Sequence, residues 1–84
     1  MKFTVVWLPE TEAELFELWM AAADRKEVEQ AANWIDLQLA NDPLKKLTRL
    51  DDMHFIRRGP LVTLCEVSVD DRIVKIVEVH RRTS

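Results

Sequence analysis

Hydrophobic residues recur along this chain with two periods, and each change of period marks a new element. In Lys2–Leu8 (KFTVVWL), Phe3, Val5 and Trp7 alternate with Lys2, Thr4 and Val6. That period of two predicts a strand, and the half-polar second set leaves it one core side. Pro9 stops the strand and is accepted in the first turn of a helix. Glu10, Glu12 and Glu14 follow, where the helix dipole favours negative charge. Leu15, Leu18, Trp19 and Ala22 then stand at i, i+3, i+4 and i+7, with Phe16, Met20 and Ala23 widening the stripe. The pattern predicts a first helix over 9–23. Asp24-Arg25-Lys26-Glu27 reads as a restart, with Asp24 as the cap and Glu27 reaching back. The second helix runs to about Asn41, where Asp42-Pro43 ends it. Val28, Ala31, Ala32, Ile35 and Leu39 form its inner stripe, and with almost no linker the two helices make a hairpin. Leu44–Asp52 carries only a short helical spacing, through Leu44, Leu47 and Leu50, and is read as a loop with one turn of helix.

The last third returns to period two. Met53–Arg58 puts Met53, Phe55 and Arg57 on one face and His54, Ile56 and Arg58 on the other. Gly59-Pro60 makes a turn. Leu61–Val69 is apolar on both faces and is expected to be the central strand. Asp70-Asp71 is read as a tight turn into Arg72–His80. There Ile73, Val77 and Val79 share one face, and Val74, Ile76, Glu78 and His80 the other. The fold expected is α+β in the order β-α-α-β-β-β. A helix hairpin covers one face of a mainly antiparallel four-stranded sheet, and residues 1–84 form a single domain.

Composition narrows the class. A chain of 84 residues buries roughly 60% of its unfolded surface, so its core is real but small. Its 32% charged residues, and the lack of any apolar run near ~20 residues, argue against a membrane protein. No secretory pattern opens the chain, and a lone cysteine, Cys65, suits a reducing cytoplasm and reads as a small buried hydrophobe. The net charge of −3 hides an asymmetry. Residues 1–44 carry three basic and nine acidic side chains, whereas residues 45–84 carry nine basic and six acidic. An acidic cover therefore faces a mildly basic sheet, which suits an anionic partner. No His, Cys, Asp or Glu grouping has metal-ligand spacing, no phosphate-cradling glycine motif occurs, and no cofactor is expected.

The order of elements resembles the RelE/ParE superfamily, the toxins of type II toxin–antitoxin pairs, often labelled plasmid-stabilisation proteins. The likeness is carried by the opening VVWLPETEAELFELW, by LANDPL closing the second helix, and by GPLVTLCEVSVDDRIVKIVEVHRR at the end. The resemblance covers nearly the whole chain, residues 1–82. The resemblance implies a bacterial growth inhibitor held by a cognate antitoxin, which lies over the sheet and the helix hairpin. It implies one of two acts. ParE-like members bind and poison DNA gyrase. RelE-like members cut messenger RNA on the ribosome without a metal, by general acid–base chemistry with cationic stabilisation of the phosphate.

Carried over residue by residue, the family's arginine before the glycine turn falls on Arg57, with Arg58 beside it. Its closing His-Arg-Arg falls on His80, Arg81 and Arg82. Arg57, Arg58, His80 and Arg81 are the candidate catalytic residues, with His80 as the proton carrier. His54 shares a face with Arg58, and Lys45, Lys46 and Arg49 add charge from the preceding loop. Two departures thin the set: Val62 stands where the family has an arginine early in the central strand, and the chain contains no tyrosine. The reading therefore leans toward a ParE-like binder. The RelE-like nuclease is the alternative, and a non-toxic scaffold a second one. Trp7, Trp19 and Trp34 are many for so short a chain and offer apolar surface to a partner.

Overall fold

The computed structural model describes residues 1–82. A strand β1 (Thr4–Trp7) leads into helix α1 (Pro9–Ala21) and helix α2 (Arg25–Ala40), followed by β2 (Thr48–Leu50), β3 (Met53–Arg58), β4 (Leu61–Ser68) and β5 (Ile73–Arg81). The five strands form one sheet in the order β1-β5-β4-β3-β2, with β4 at its centre. All neighbours are antiparallel except β1 and β5, which run parallel across the helix hairpin.

One face of the sheet is covered by the helices. Val28, Ala31, Ile35 and Leu39 of α2 are buried against Phe3, Ile56, Leu61, Cys65, Val74, Ile76 and Val79, which form the core. The inner stripe of α2 is thus the one its spacing predicts. Burial also pushes the Cys65 thiol up from 9.0 to about 11, since a thiolate would lose its hydration there. Among the described residues, the other face of the sheet carries no helix. It shows Phe55, Val62, Leu64 and Ile73, all half-buried, with charged residues around them.

The structure differs from the expectation at five places. The sheet has five strands, because Thr48–Leu50 pairs with Met53–Phe55 where a loop was expected. Only a 3-10 turn, Pro43–Lys45, represents the predicted helical turn. The turn at Asp70-Asp71 spans Val69–Arg72, and Arg72 takes a left-handed backbone at φ 55°. Asp24 stands at the start of α2 but makes no capping hydrogen bond, because its carboxylate is taken by Arg81. Finally, the face assignment of the last strand fails halfway. The register shifts between Leu64 and Cys65, so Leu64 pairs with Glu78 while Cys65 pairs with Ile76. Val77 is the extra residue of a bulge, and alternation restarts beyond it. Val74 and Ile76 are buried before the bulge and Val79 after it. Thr11, itself buried in α1, donates its hydroxyl to the Val77 carbonyl at 2.9 Å, which ties the helix to the bulge.

Candidate functional site

The bulge decides where the candidate residues point. Beyond it, two rows cross β3, β4 and β5 at the end of the sheet. Arg57 pairs with Val62, which pairs with His80; Arg58 pairs with Leu61, which pairs with Arg81. Directly opposed residues project to the same face, and adjacent rows to opposite faces. Leu61 is fully buried under the helices, so its row is the covered one. Arg57, Val62 and His80 lie on the open face. The four candidates are therefore divided two and two.

On the covered side both arginines are engaged with α2. The Arg58 guanidinium lies 4.6 Å from the centre of the Trp34 ring, a cation–π contact that lets its stem cover apolar surface. Arg81 Nη2 donates to both carboxylate oxygens of Asp24, at 3.0 and 3.1 Å. Arg82 continues the chain past β5 and donates its backbone N–H to the Pro60 carbonyl at 2.7 Å. His54 also faces the helices, and its buried Nδ1 has no hydrogen-bond partner.

On the open side the two candidates are exposed. Arg57 makes no ion pair among the described residues. His80 Nε2 lies 2.9 Å from Glu78 Oε1, two residues back on the same side of β5. The pairing fixes the ring's orientation and couples it to a carboxylate. Two strand spacings separate Arg57 from His80, roughly 10 Å at the backbone, with Val62 between them. A single phosphate cannot touch both backbones, but it can be reached by the long arginine side chain and the ring together. Arg57 also borders a hollow of about 500 Å³ at the sheet edge, with Trp34, Gln38, Lys46, Thr48 and Phe55. β2 ends opposite Phe55, so this hollow opens beside the unpaired outer edge of Ile56–Arg58. Its charged side chains are both cations. Of the loop cations, Lys46 lies here, donating to the Asn41 carbonyl at 2.7 Å, while Arg49 Nε donates to the Asp51 carbonyl at 3.1 Å.

Each tryptophan is half-buried and has a defined neighbour. Trp7 Nε1 donates to Asp36, Arg25 lies over Trp19 at 4.6 Å, and Arg58 covers Trp34. No group of three or more His, Cys, Asp or Glu among the described residues is placed to hold a metal ion. Among the described residues, no helix is long and apolar enough to cross a membrane.

No protein-family model matches the chain, and no curated protein matches it significantly. Solved structures do. A chain of the toxin–antitoxin complex RelBE2 from Mycobacterium tuberculosis superposes with a TM-score of 0.81 at 18% identity, over 98% of this chain and 100% of that one. The chain has the RelE/ParE fold. A chain of the archaeal RelE–RelB complex from Pyrococcus horikoshii superposes with a TM-score of 0.67, also at 18% identity, over 98% of this chain and 97% of that one. Among the described residues, nothing covers the open sheet face. The sequence had not indicated that the bulge at Val77 would put His80 on the open face and Arg81 on the covered one. A period of two, read straight through Ile73–His80, hides it.

Proposed function

We propose that this chain is the toxin of a type II toxin–antitoxin pair, neutralised by a small cognate antitoxin and inhibiting growth by gripping a cellular target with its open sheet face. The supporting observation is the end-to-end likeness to a chain of a toxin–antitoxin complex, at a TM-score of 0.81 with no part of either chain left over beyond a few residues. The open face suits a grip: an apolar patch of Phe55, Val62 and Leu64 is bordered by Arg57, Glu66, Lys75 and His80. Apolar centres with charged rims are the usual anatomy of protein interfaces. A ParE-like act on DNA gyrase is the form this reading takes. It is favoured by the valine between Arg57 and His80 and by the commitment of Arg58 and Arg81 to α2.

A second reading, ribosome-dependent cleavage of messenger RNA, has its own support. Both structural neighbours come from RelE-containing complexes. Arg57 and the Glu78-backed His80 share one row. On this reading Arg57 stabilises negative charge on the scissile phosphate, and His80 accepts the proton of the attacking 2′-hydroxyl while the bond to the 5′-oxygen breaks and that oxygen takes a proton from water.

Controlled induction in a bacterial host separates the two. A gripping toxin stops growth with transcripts intact and gyrase supercoiling impaired. A nuclease stops growth with transcripts cut inside the reading frame. Normal growth at high expression with no antitoxin present contradicts both.

A further inference from the structure

The hollow at the sheet edge combines groups that the middle of the open face lacks. Trp34 and Gln38 stand at i and i+4 on α2, so both look the same way. Thr48 on β2 lies directly opposite Phe55 on β3, and Arg57 follows two residues along the same face. Lys46, just past the Pro43–Lys45 turn, adds the second cation. It is held in place without being neutralised. Its Nζ donates to the carbonyls of Asn41 at 2.7 Å and Gln38 at 3.5 Å, which leaves one ammonium N–H free. Arg57 has no ion pair among the described residues. The Arg58 guanidinium lies 4.6 Å from the centre of the Trp34 ring and steadies it. Two aromatic rings and two uncompensated cations thus share about 500 Å³, with no carboxylate among the described lining residues. That volume is in the range of small-molecule sites.

We propose that this hollow binds a free mononucleotide, with its base against Trp34 and Phe55 and its phosphate between Lys46 and Arg57. Charge selects the phosphate. The Arg57 fork matches two phosphate oxygens, and the Lys46 ammonium adds a point charge. The rings select a flat base, since stacking needs only a π-face. Gln38 and Thr48 carry donors and acceptors for the edge of that base. The surroundings select one nucleotide over a strand, because a strand needs a track of cations under successive phosphates. Beyond Arg57 the open face offers Val62, then His80 bonded to Glu78, while Lys75 stands opposite Glu66. The net charge of −3 also opposes a polyanion. Binding of this kind is independent of whether the chain arrests growth.

The test is calorimetric titration of the purified full-length chain with four probes: adenosine monophosphate, adenosine, ribose 5-phosphate and a single-stranded RNA hexanucleotide. Adenosine monophosphate should bind at one site, at least about tenfold more tightly than adenosine or ribose 5-phosphate, because only it uses rings and cations together. Added salt should weaken it and leave adenosine unchanged. Lys46→Ala changes an exposed side chain and should weaken the mononucleotide about tenfold without affecting adenosine. Phe55→Ala should weaken both, and Phe55→Tyr, which keeps the ring, should restore them. Thermal melts confirm that each variant is folded. Tryptophan fluorescence gives a second reading: the mononucleotide should quench it in the parent and not in Trp34→Phe. Equal affinity for ribose 5-phosphate and adenosine monophosphate overturns the proposal, as does mononucleotide binding that survives both Lys46→Ala and Phe55→Ala. A hexanucleotide bound more than about a hundredfold more tightly than the mononucleotide also overturns it, since that assigns the hollow to a strand. Any of these failures leaves the toxin reading standing, and a chain that binds the mononucleotide as described but is harmless in cells removes only the toxin reading.

Discussion

The two rows at the end of the sheet contain nearly the same chemistry and have opposite fates. One holds Arg58, Leu61 and Arg81; the other, one residue along, holds Arg57, Val62 and His80. In the first row an aliphatic centre is sealed under α2, and its two arginines are drawn over the helix, one onto Trp34 and one onto Asp24. In the second row the aliphatic centre is half open and its flanking groups face solvent. The pleat divides Arg57 from Arg58 and Leu61 from Val62, and the bulge at Val77 sets which of His80 and Arg81 joins which row. Adjacent arginines in a strand cannot serve one site, so a run such as Arg57-Arg58 supplies one structural cation and one available cation.

That contrast can be broken or sharpened by mutation. The largest difference should come from the centres of the rows. Leu61→Ala empties a fully buried position and should destabilise the fold by about 3 kcal/mol, while Val62→Ala on the open face should remove about 1 kcal/mol or less. Urea unfolding monitored by tryptophan fluorescence measures both, and similar losses would erase the distinction between the faces.

A second effect belongs to the covered side alone. Burial holds the Cys65 thiol near 11, above its ordinary 9.0, so the folded chain keeps that proton longer than the unfolded chain does. The associated stability is complete below about pH 9 and is lost as pH rises toward 11, an effect of about 3 kcal/mol. The chain has no tyrosine to titrate in the same range. Cys65→Ala should lower stability at neutral pH but flatten the decline between pH 9 and 11. An unchanged alkaline slope would contradict a buried thiol.

Smaller effects should divide the flanking residues. Arg58→Ala and Arg81→Ala each remove a contact to α2 that is partly solvated, and each should cost about 0.5–1 kcal/mol. Arg57→Ala and His80→Ala should stay within about 0.5 kcal/mol of the parent. Thermal melts of the four variants in one buffer suffice. An Arg57 variant that proves the least stable of the four would place that side chain in the framework.

Much of the fold was legible before the structure. The strand–hairpin–meander order, the α2 stripe and the central place of β4 follow from period and composition, because each depends on several residues agreeing. What was hidden depended on single residues. β2 is three exposed residues, Thr48, Arg49 and Leu50, whose pattern is that of a loop. The bulge at Val77 sits in an unbroken run of strand-forming residues, and its stabilising partner, Thr11, lies far away in sequence. Asp24 has the right identity and position for a cap, but a cation 57 residues later competes for the same carboxylate. For the candidate site, the residue types were readable and their sidedness was not. Arg57 and Arg58 separate by simple alternation, whereas His80 and Arg81 are assigned to faces only by the bulge.

The most direct test of the central claim is growth after induction of the intact chain, with Arg57→Ala and Arg58→Ala run beside it at matched soluble levels. The account predicts arrest by the parent, relief by co-expression of the neighbouring gene's product, marked loss of toxicity in Arg57→Ala and retained toxicity in Arg58→Ala. A harmless parent, or toxicity that survives in Arg57→Ala and disappears in Arg58→Ala, would contradict it.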